Sequence, residues 1–431
     1  MSRVRYTAVP TLAAVFYAAL IFPPEFSVTV GGLRLTLYRV FLLLVTVPLL
    51  MRLLQSTKQR MHAVDYLVMA HAGWVVLALT VYGGIGQGIE SGGIYVVESL
   101  GAYLVGRIAI TNTEQHRALL RYMVTLLGLM FLFTVPESLT GTHFIRELAR
   151  AIAGGPGLPI IEQRMGLDRA FGSFDHPILY GVFAASTFAA CFYILGQGKF
   201  KARTIGLMGL VGSSAFLSLS AGPFVGLFCQ IGLLAWDRIT RGIQLRWWAL
   251  GSIFALMMFA VSMGSNRSPV HVFISYLTFS AASSYNRILI WEYGSAEVGR
   301  HPIFGLGFGD WIRAPWMSDS MDNFWLLTAV RYGLPALLFL VAAIVTLAVR
   351  QVRGVGRNQE LNRHRMAWLA IMIGLAVSGV TVHFWNAMFA YFFFLIGTGA
   401  WMVNPPRQRA DSQYQYFQLN HPRQLALSGA G

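Results

Sequence analysis

Apolar runs of near-constant length recur along the whole chain, separated by short polar stretches rich in arginine. A membrane-crossing helix needs about 20 predominantly apolar residues. On that measure the pattern predicts spans at 7–23, 35–54, 64–82, 93–110, 119–139 and 176–195, then 204–219, 223–236, 247–264, 322–349, 366–384 and 387–403. The seventh and eighth nearly touch at Ser220-Ala221-Gly222-Pro223, where glycine and proline mark a tight turn. No small-residue cleavage site follows the first run, which therefore reads as a retained span rather than a signal peptide.

Short basic clusters fix the expected orientation. Arg52, Lys58 and Arg60; Arg117 and Arg121; Lys199, Lys201 and Arg203; Arg238, Arg241 and Arg246; and Arg350, Arg353, Arg357, Arg363 and Arg365 all fall on one side if every run crosses. So do Arg3 and Arg5 near one terminus and Arg407 and Arg409 near the other. Positive-inside bias then places both termini in the cytoplasm. The expected fold class is an all-α integral membrane protein of about twelve transmembrane helices, in a bacterial inner membrane, with two long periplasmic loops, the second partly helical. Residues 1–403 form one polytopic domain, and 404–431, behind Pro405 and Pro406, a polar cytoplasmic tail that reads as disordered.

Two outward segments break the short-loop pattern, 140–175 and 265–321. Connections longer than ~12–15 residues tend to be functional or disordered. Aromatic and aliphatic residues at helical spacing predict folded, partly amphipathic structure in both. In the second, Ser283 or Ser284 caps a helix running through Arg300, with Arg287, Trp291 and Ser295 on one face. His301-Pro302 ends it, and Gly305, Gly307 and Gly309 turn the chain back.

Composition narrows the function classes. Of 431 residues, 55% are hydrophobic and only 12% charged, too few polar side chains to clothe a water-facing surface. The net charge of +15 invites a nucleic-acid partner, but the cations lie in short clusters between apolar runs, which membrane topology explains without one. Cys191 and Cys229 both fall in apolar runs and suggest neither disulfide nor metal. The glycines at 305–309 follow no strand and lack the dinucleotide spacing.

Several motifs carry a resemblance. Arg287-Ile288-Leu289-Ile290-Trp291, then His301-Pro302-Ile303-Phe304-Gly305-Leu306-Gly307, then Asp322-Asn323 and Arg331-Tyr332-Gly333-Leu334 resemble the O-antigen ligases and Wzy-type polysaccharide polymerases. Phe174-Asp175-His176-Pro177 with Gly181 resembles that family's mid-chain span, and Glu98, Tyr103 and Arg107 its early helix. Many ligases of the family have a histidine where this chain has Asp322; the Asp-Asn form looks more like the exopolysaccharide polymerase branch. The resemblance implies glycosyl transfer at the outer face of the inner membrane. The donor would be a glycan on undecaprenyl diphosphate and the acceptor a second lipid-linked unit, with no metal and no cofactor. Membrane lipid, a chain-length regulator and export machinery are the implied partners. A ligase acting on another acceptor, or a lipid-linked oligosaccharide flippase, are the rival readings.

The residues fit such chemistry. Guanidinium forks bind phosphate oxygens bidentately, and the outward loops hold Arg146, Arg150, Arg164, Arg169, Arg267, Arg287, Arg300 and Arg313 but no lysine. Lysine is scarce throughout, so arginine as the default cation is the plainer alternative, with Glu147, Glu162, Glu292 and Glu297 available to pair. Asp322, Arg287 and Asn323 are the catalytic candidates, Asp322 as general base or simply as a helix cap. Arg107, Arg267, Arg300, Arg313, Arg169, His176, Glu98 and Trp291 are candidates for holding diphosphate or glycan. Arg107 equally suits a snorkelling anchor, Glu98 a buried ion pair, and Asp175-His176-Pro177 a helix start. Trp311, Trp316, Phe324 and Trp325 suit either sugar stacking or an interfacial belt.

Overall fold

The computed structural model describes residues 8–57, 59–155, 157–265, 271–272, 281–356 and 358–403. Arg267, the tail 404–431, and Arg3, Arg5, Lys58, Arg357, Arg407 and Arg409 of the basic clusters lie outside them.

Helix dominates. In chain order the helices are α1 (Thr11–Leu20), α2 (Leu37–Gln55), α3 (Ala63–Val96), α4 (Ala102–Ala109), α5 (Thr113–Thr140), α6 (Phe144–Ala153) and α7 (Pro177–Ala185). There follow α8 (Ala202–Leu217), α9 (Ala221–Ile239), α10 (Arg246–Gly264), α11 (Ala281–Arg300), α12 (Phe324–Arg353), α13 (Gln359–Ser378) and α14 (Ala387–Gly399). Six continuous helical segments among the described residues are long and apolar enough to cross a membrane, so the chain is a multi-pass membrane protein; the remaining expected spans fall on shorter or more polar helices.

One of the six is a hairpin. A single turn of π-helix, Val97–Gly101, joins α3 to α4, giving an unbroken segment of 47 residues. Gly84 interrupts it at φ 78°, ψ 178°, a conformation open to glycine. Beyond it the chain folds back, and Gly92 lies so close to Val76 that a Cβ there would sit 3.3 Å from the Val76 Cα.

Among the described residues, one short element is not helical. Ser27–Val30 and Leu33–Thr36 pair as an antiparallel hairpin, β1 and β2, around a Gly31-Gly32 turn. It sits between α1 and α2, in a connection whose length gave no sign of structure.

Polar contacts sort the connections into two ends. At one, Arg146 Nε donates to Glu25 Oε1 (2.5 Å), Asn386 Nδ2 to Asp175 Oδ2 (2.8 Å) and Arg164 Nη1 to the Leu219 carbonyl (2.9 Å). This is the loop end. At the other, Arg107 Nε bonds Asp65 (3.0 Å), Arg117 meets Glu360 (2.6 Å), and Arg363 and Arg365 reach the carbonyls of Gln197 and Met402. Arg117, Arg363 and Arg365 of the basic clusters thus share the second end.

The first long loop carries α6, whose apolar residues Phe144, Leu148 and Ile152 recur at four-residue spacing and stay exposed while Arg146 and Ala149 are buried. Such a face suits a membrane interface. The second carries α11, close to its expected bounds. His301-Pro302 follows its end, and the glycine-rich turn then docks on α12. Leu334 N donates to the Pro302 carbonyl (2.8 Å), Leu306 N to Val330 (2.7 Å) and Gly307 N to Arg331 (2.9 Å). Gly333, at φ 81° and ψ 168°, breaks α12 there, and any Cβ on it would overlap the Ile303 carbonyl. The expected span 322–349 is therefore two pieces: a short segment facing the loops and a longer one, from Leu334 to Arg353, of about 30 Å at 1.5 Å per residue.

Candidate functional site

A cavity of about 370 Å³ opens at the loop end, lined by Arg164, Arg169, His176, Arg287, Asp322 and Trp385, among others. They come from four stretches of the chain: the loop before α7 with the start of that helix, α11, the start of α12, and the connection before α14.

Asp322 stands just ahead of α12. The cap of that helix is its neighbour: Asn323 Oδ1 accepts from Leu326 N (2.9 Å), with Asn323 only 3% exposed. The capping role open to Asp322 is thereby filled, and its carboxylate faces the cavity, accepting from Ser320 Oγ at 3.2 Å. Asn323, expected as a catalytic residue, is instead committed to its helix.

Arg287 projects from the first half of α11. Its Nε and Nη1 are buried and have no hydrogen-bond partner among the described residues. Burial lowers its pKa from the ordinary value; Asp322 opposes that shift and Arg164 adds to it. Arg287 and Asp322 thus feel each other across the cavity without forming an ion pair within 4 Å. A buried guanidinium with open donors is costly unless something anionic completes it.

Arg164 and Arg169 come from the loop before α7, and both fasten the turn between α8 and α9. Arg164 bonds the Leu219 carbonyl, while Arg169 Nε bonds the Ser218 carbonyl (3.3 Å) and its Nη2 the Ser220 hydroxyl (2.7 Å). Burial, reinforced by Arg164, brings Arg169 down to about 10. His176 caps α7, with Pro177 at the first helical position; its Nδ1 accepts from Ile178 N at 3.2 Å. That acceptor role assigns the remaining proton to Nε2. Burial and the two neighbouring arginines lower its pKa to about 4, so the ring is neutral at pH 7.

A second cavity, of about 390 Å³, adjoins the first across Trp385, which lines both. It holds Arg34, Arg39, Glu98, Arg331, His383 and Asn386. Glu98 lies on the π-turn, where it accepts from Tyr38 (2.6 Å) and Arg39 Nε (2.7 Å). Arg39 continues to Asn386 (3.2 Å), which bonds Asp175. His383 is lowered to about 3 by burial and by Arg331.

Of the residues expected from sequence, the first cavity unites Arg287, Asp322, Arg169 and His176. Glu98 lines the second and has the ion pair that its burial demanded. Four others are placed elsewhere. Arg107 is at the opposite end, bound with Tyr103 to the buried Asp65, a structural pair. Arg300 is exposed and pairs with Glu297 on its own helix (2.6 Å). Arg313 closes its own loop onto Asp310 and the carbonyls of Trp311 and Met317. Trp291 packs against the loop's small apolar cluster of Leu289, Ile290 and Trp311. Arg267 lies outside the described residues.

Sequence reasoning missed Arg34, Arg39, His383 and Trp385, and named Arg331 only as part of a motif, not as a site residue. Arg34 carried a usable signal, since the expected topology already put it on the outer side. Among the described residues, no three His, Cys, Asp or Glu side chains gather as metal ligands would. No protein-family model and no curated protein matches the chain.

Proposed function

We propose that the protein is a polysaccharide polymerase of a bacterial inner membrane, with about twelve crossings, both termini cytoplasmic and the loop end periplasmic. It joins oligosaccharide units carried on undecaprenyl diphosphate. The observation that carries this reading is the buried guanidinium of Arg287, whose Nε and Nη1 have no hydrogen-bond partner among the described residues, beside Asp322 in a cavity shared with two more arginines. An anionic ligand would complete Arg287, and a diphosphate offers enough oxygens for several forks at once.

In this reading Arg287, Arg164 and Arg169 hold the donor diphosphate. The acceptor hydroxyl attacks the anomeric carbon as Asp322 takes its proton. The carbon–oxygen bond to phosphate breaks, and the electron pair leaves with undecaprenyl diphosphate, whose growing charge the arginines stabilise. His176, neutral with Nε2–H toward the cavity, supplies a hydrogen bond rather than a proton at pH 7. General-base assistance of this kind is worth ~10²–10⁴-fold.

The test is the lipid-linked glycan that builds up in cells lacking the protein and complemented with Arg287→Ala or Asp322→Asn. Single repeat units should accumulate with both variants at normal protein level. Accumulation of long lipid-linked chains would instead identify a ligase, and full-length polymer made by both variants would overturn the assignment.

A further inference from the structure

An apolar groove lies near the second cavity. Between α1 and α2 lies a cleft of about 450 Å³, lined by Ala14, Ala18, Phe22, Val40, Phe41 and Leu44 among others, with Tyr122 the one polar side chain in its wall. Phe22 also lines a small cavity of about 100 Å³ above it, and that cavity shares Arg34, Arg39 and Asn386 with the cavity beyond Trp385. Apolar groove, arginine-bearing neck and polar chamber thus follow one another along the side of the molecule.

The charge of the chamber is unbalanced. Three guanidiniums, of Arg34, Arg39 and Arg331, line it against one carboxylate, Glu98. The neck holds the Asp175 carboxylate, which is engaged by Asn386 (2.8 Å) and lies 4.0 Å from Arg146, and the Ser173 hydroxyl, 5% exposed and without a partner among the described residues. Arg34 is exposed, fixed at Nε by Ser27 (2.9 Å) and at Nη2 by the Pro24 carbonyl (2.5 Å), and it lines the neck with no hydrogen bond from Nη1 among the described residues.

We propose that this path is a second lipid-linked substrate site: a polyprenyl chain lies in the α1–α2 groove, its diphosphate at Arg34 and Ser173, and its glycan in the chamber beside Trp385. The inference rests on the polymerase reading, which requires two lipid-linked molecules at once, and it assigns the acceptor to this side and the donor to Arg287. An ordinary phospholipid fits less well. It brings one phosphate to a chamber with two excess positive charges, and it would leave about 390 Å³ beyond its headgroup empty.

The test places a benzophenone amino acid at Leu44, which is 71% exposed at the groove, in the full chain purified in detergent. The probe is tritiated undecaprenyl diphosphate. Excess unlabelled undecaprenyl diphosphate should cut photo-labelling about tenfold and phosphatidylglycerol less than about twofold, as charge-assisted binding of a diphosphate requires. Arg34→Ala should lower labelling by about tenfold and Arg34→Lys restore part of it, whereas Arg300→Ala, which removes an equally charged residue elsewhere, should not. Ala18→Trp, which fills the groove without touching the charges, should also abolish labelling. Equal competition by phosphatidylglycerol would mean annular lipid only, and labelling unaffected by Arg34→Ala and Ala18→Trp would equally overturn the site. Failure of the polymerase reading registers separately, as polymer yield indifferent to Asp322→Asn, while the labelling still reports whether the groove holds this lipid.

Discussion

Gly333→Ala tests whether the two motifs that flank the break in α12 truly interlock. At φ 81° and ψ 168° a side chain meets its own backbone, a strain of about 1–3 kcal/mol. The new Cβ also overlaps the Ile303 carbonyl, so the turn must move. Moving it endangers the Leu334–Pro302 bond (2.8 Å) and the Trp74 indole bond to the Ile303 carbonyl (3.3 Å), each worth about 0.5–1.5 kcal/mol net. Together the loss is on the order of 2–6 kcal/mol. Thermal unfolding of the detergent-solubilised protein measures it, with Gly299→Ala as the control. Gly299 is exposed near the end of α11 with open space around it, so alanine there should be neutral or stabilise by up to about 1 kcal/mol. A Gly333→Ala protein that melts with wild type would refute the docking of the glycine-rich turn on α12.

Other expectations follow from the same contacts. Asp65→Ala leaves Arg107 buried without its partner and should destabilise by about 3–5 kcal/mol, read as a lower melting temperature. Asn323→Ala should cost about 1 kcal/mol through the lost cap, while Asp322→Asn should leave the melting temperature unchanged, a contrast that separates capping from chemistry. His176 has a folded pKa near 4, below its unfolded value, so between about pH 6.5 and 4 the unfolded chain binds the extra proton. Stability should therefore fall as pH drops through that window, and His176→Gln should flatten the slope of melting temperature against pH.

Much of the helical scaffold was legible because period and length are local properties. The helix through Arg287 runs Ala281–Arg300 against an expectation starting at Ser283 or Ser284, and its stop at His301-Pro302 needs only the chemistry of those two residues. The hairpin at Gly84 was half visible: two spans were expected, but the return comes directly at that glycine instead of over a ten-residue loop. What escaped was set by distance along the chain. Arg39 finds Glu98 59 positions away, and Asn386 joins Arg39 across 347, pairings no spacing rule reveals. Arg300 and Arg313 were expected as diphosphate or glycan binders behind Arg287; the fold shows that acids three residues away, Glu297 and Asp310, already occupy them. The four-residue strands of the β-hairpin are likewise too short to stand out from a turn.

In the proposed reaction Arg287 and Asp322 work on one lipid-linked diphosphate. Purified protein in proteoliposomes, given undecaprenyl-diphosphate-linked oligosaccharide, should lengthen the glycan and release one undecaprenyl diphosphate per bond formed. Arg287→Ala and Asp322→Asn should each slow that release by about 10²-fold or more while melting like wild type. Release at the wild-type rate from both well-folded variants would contradict the account.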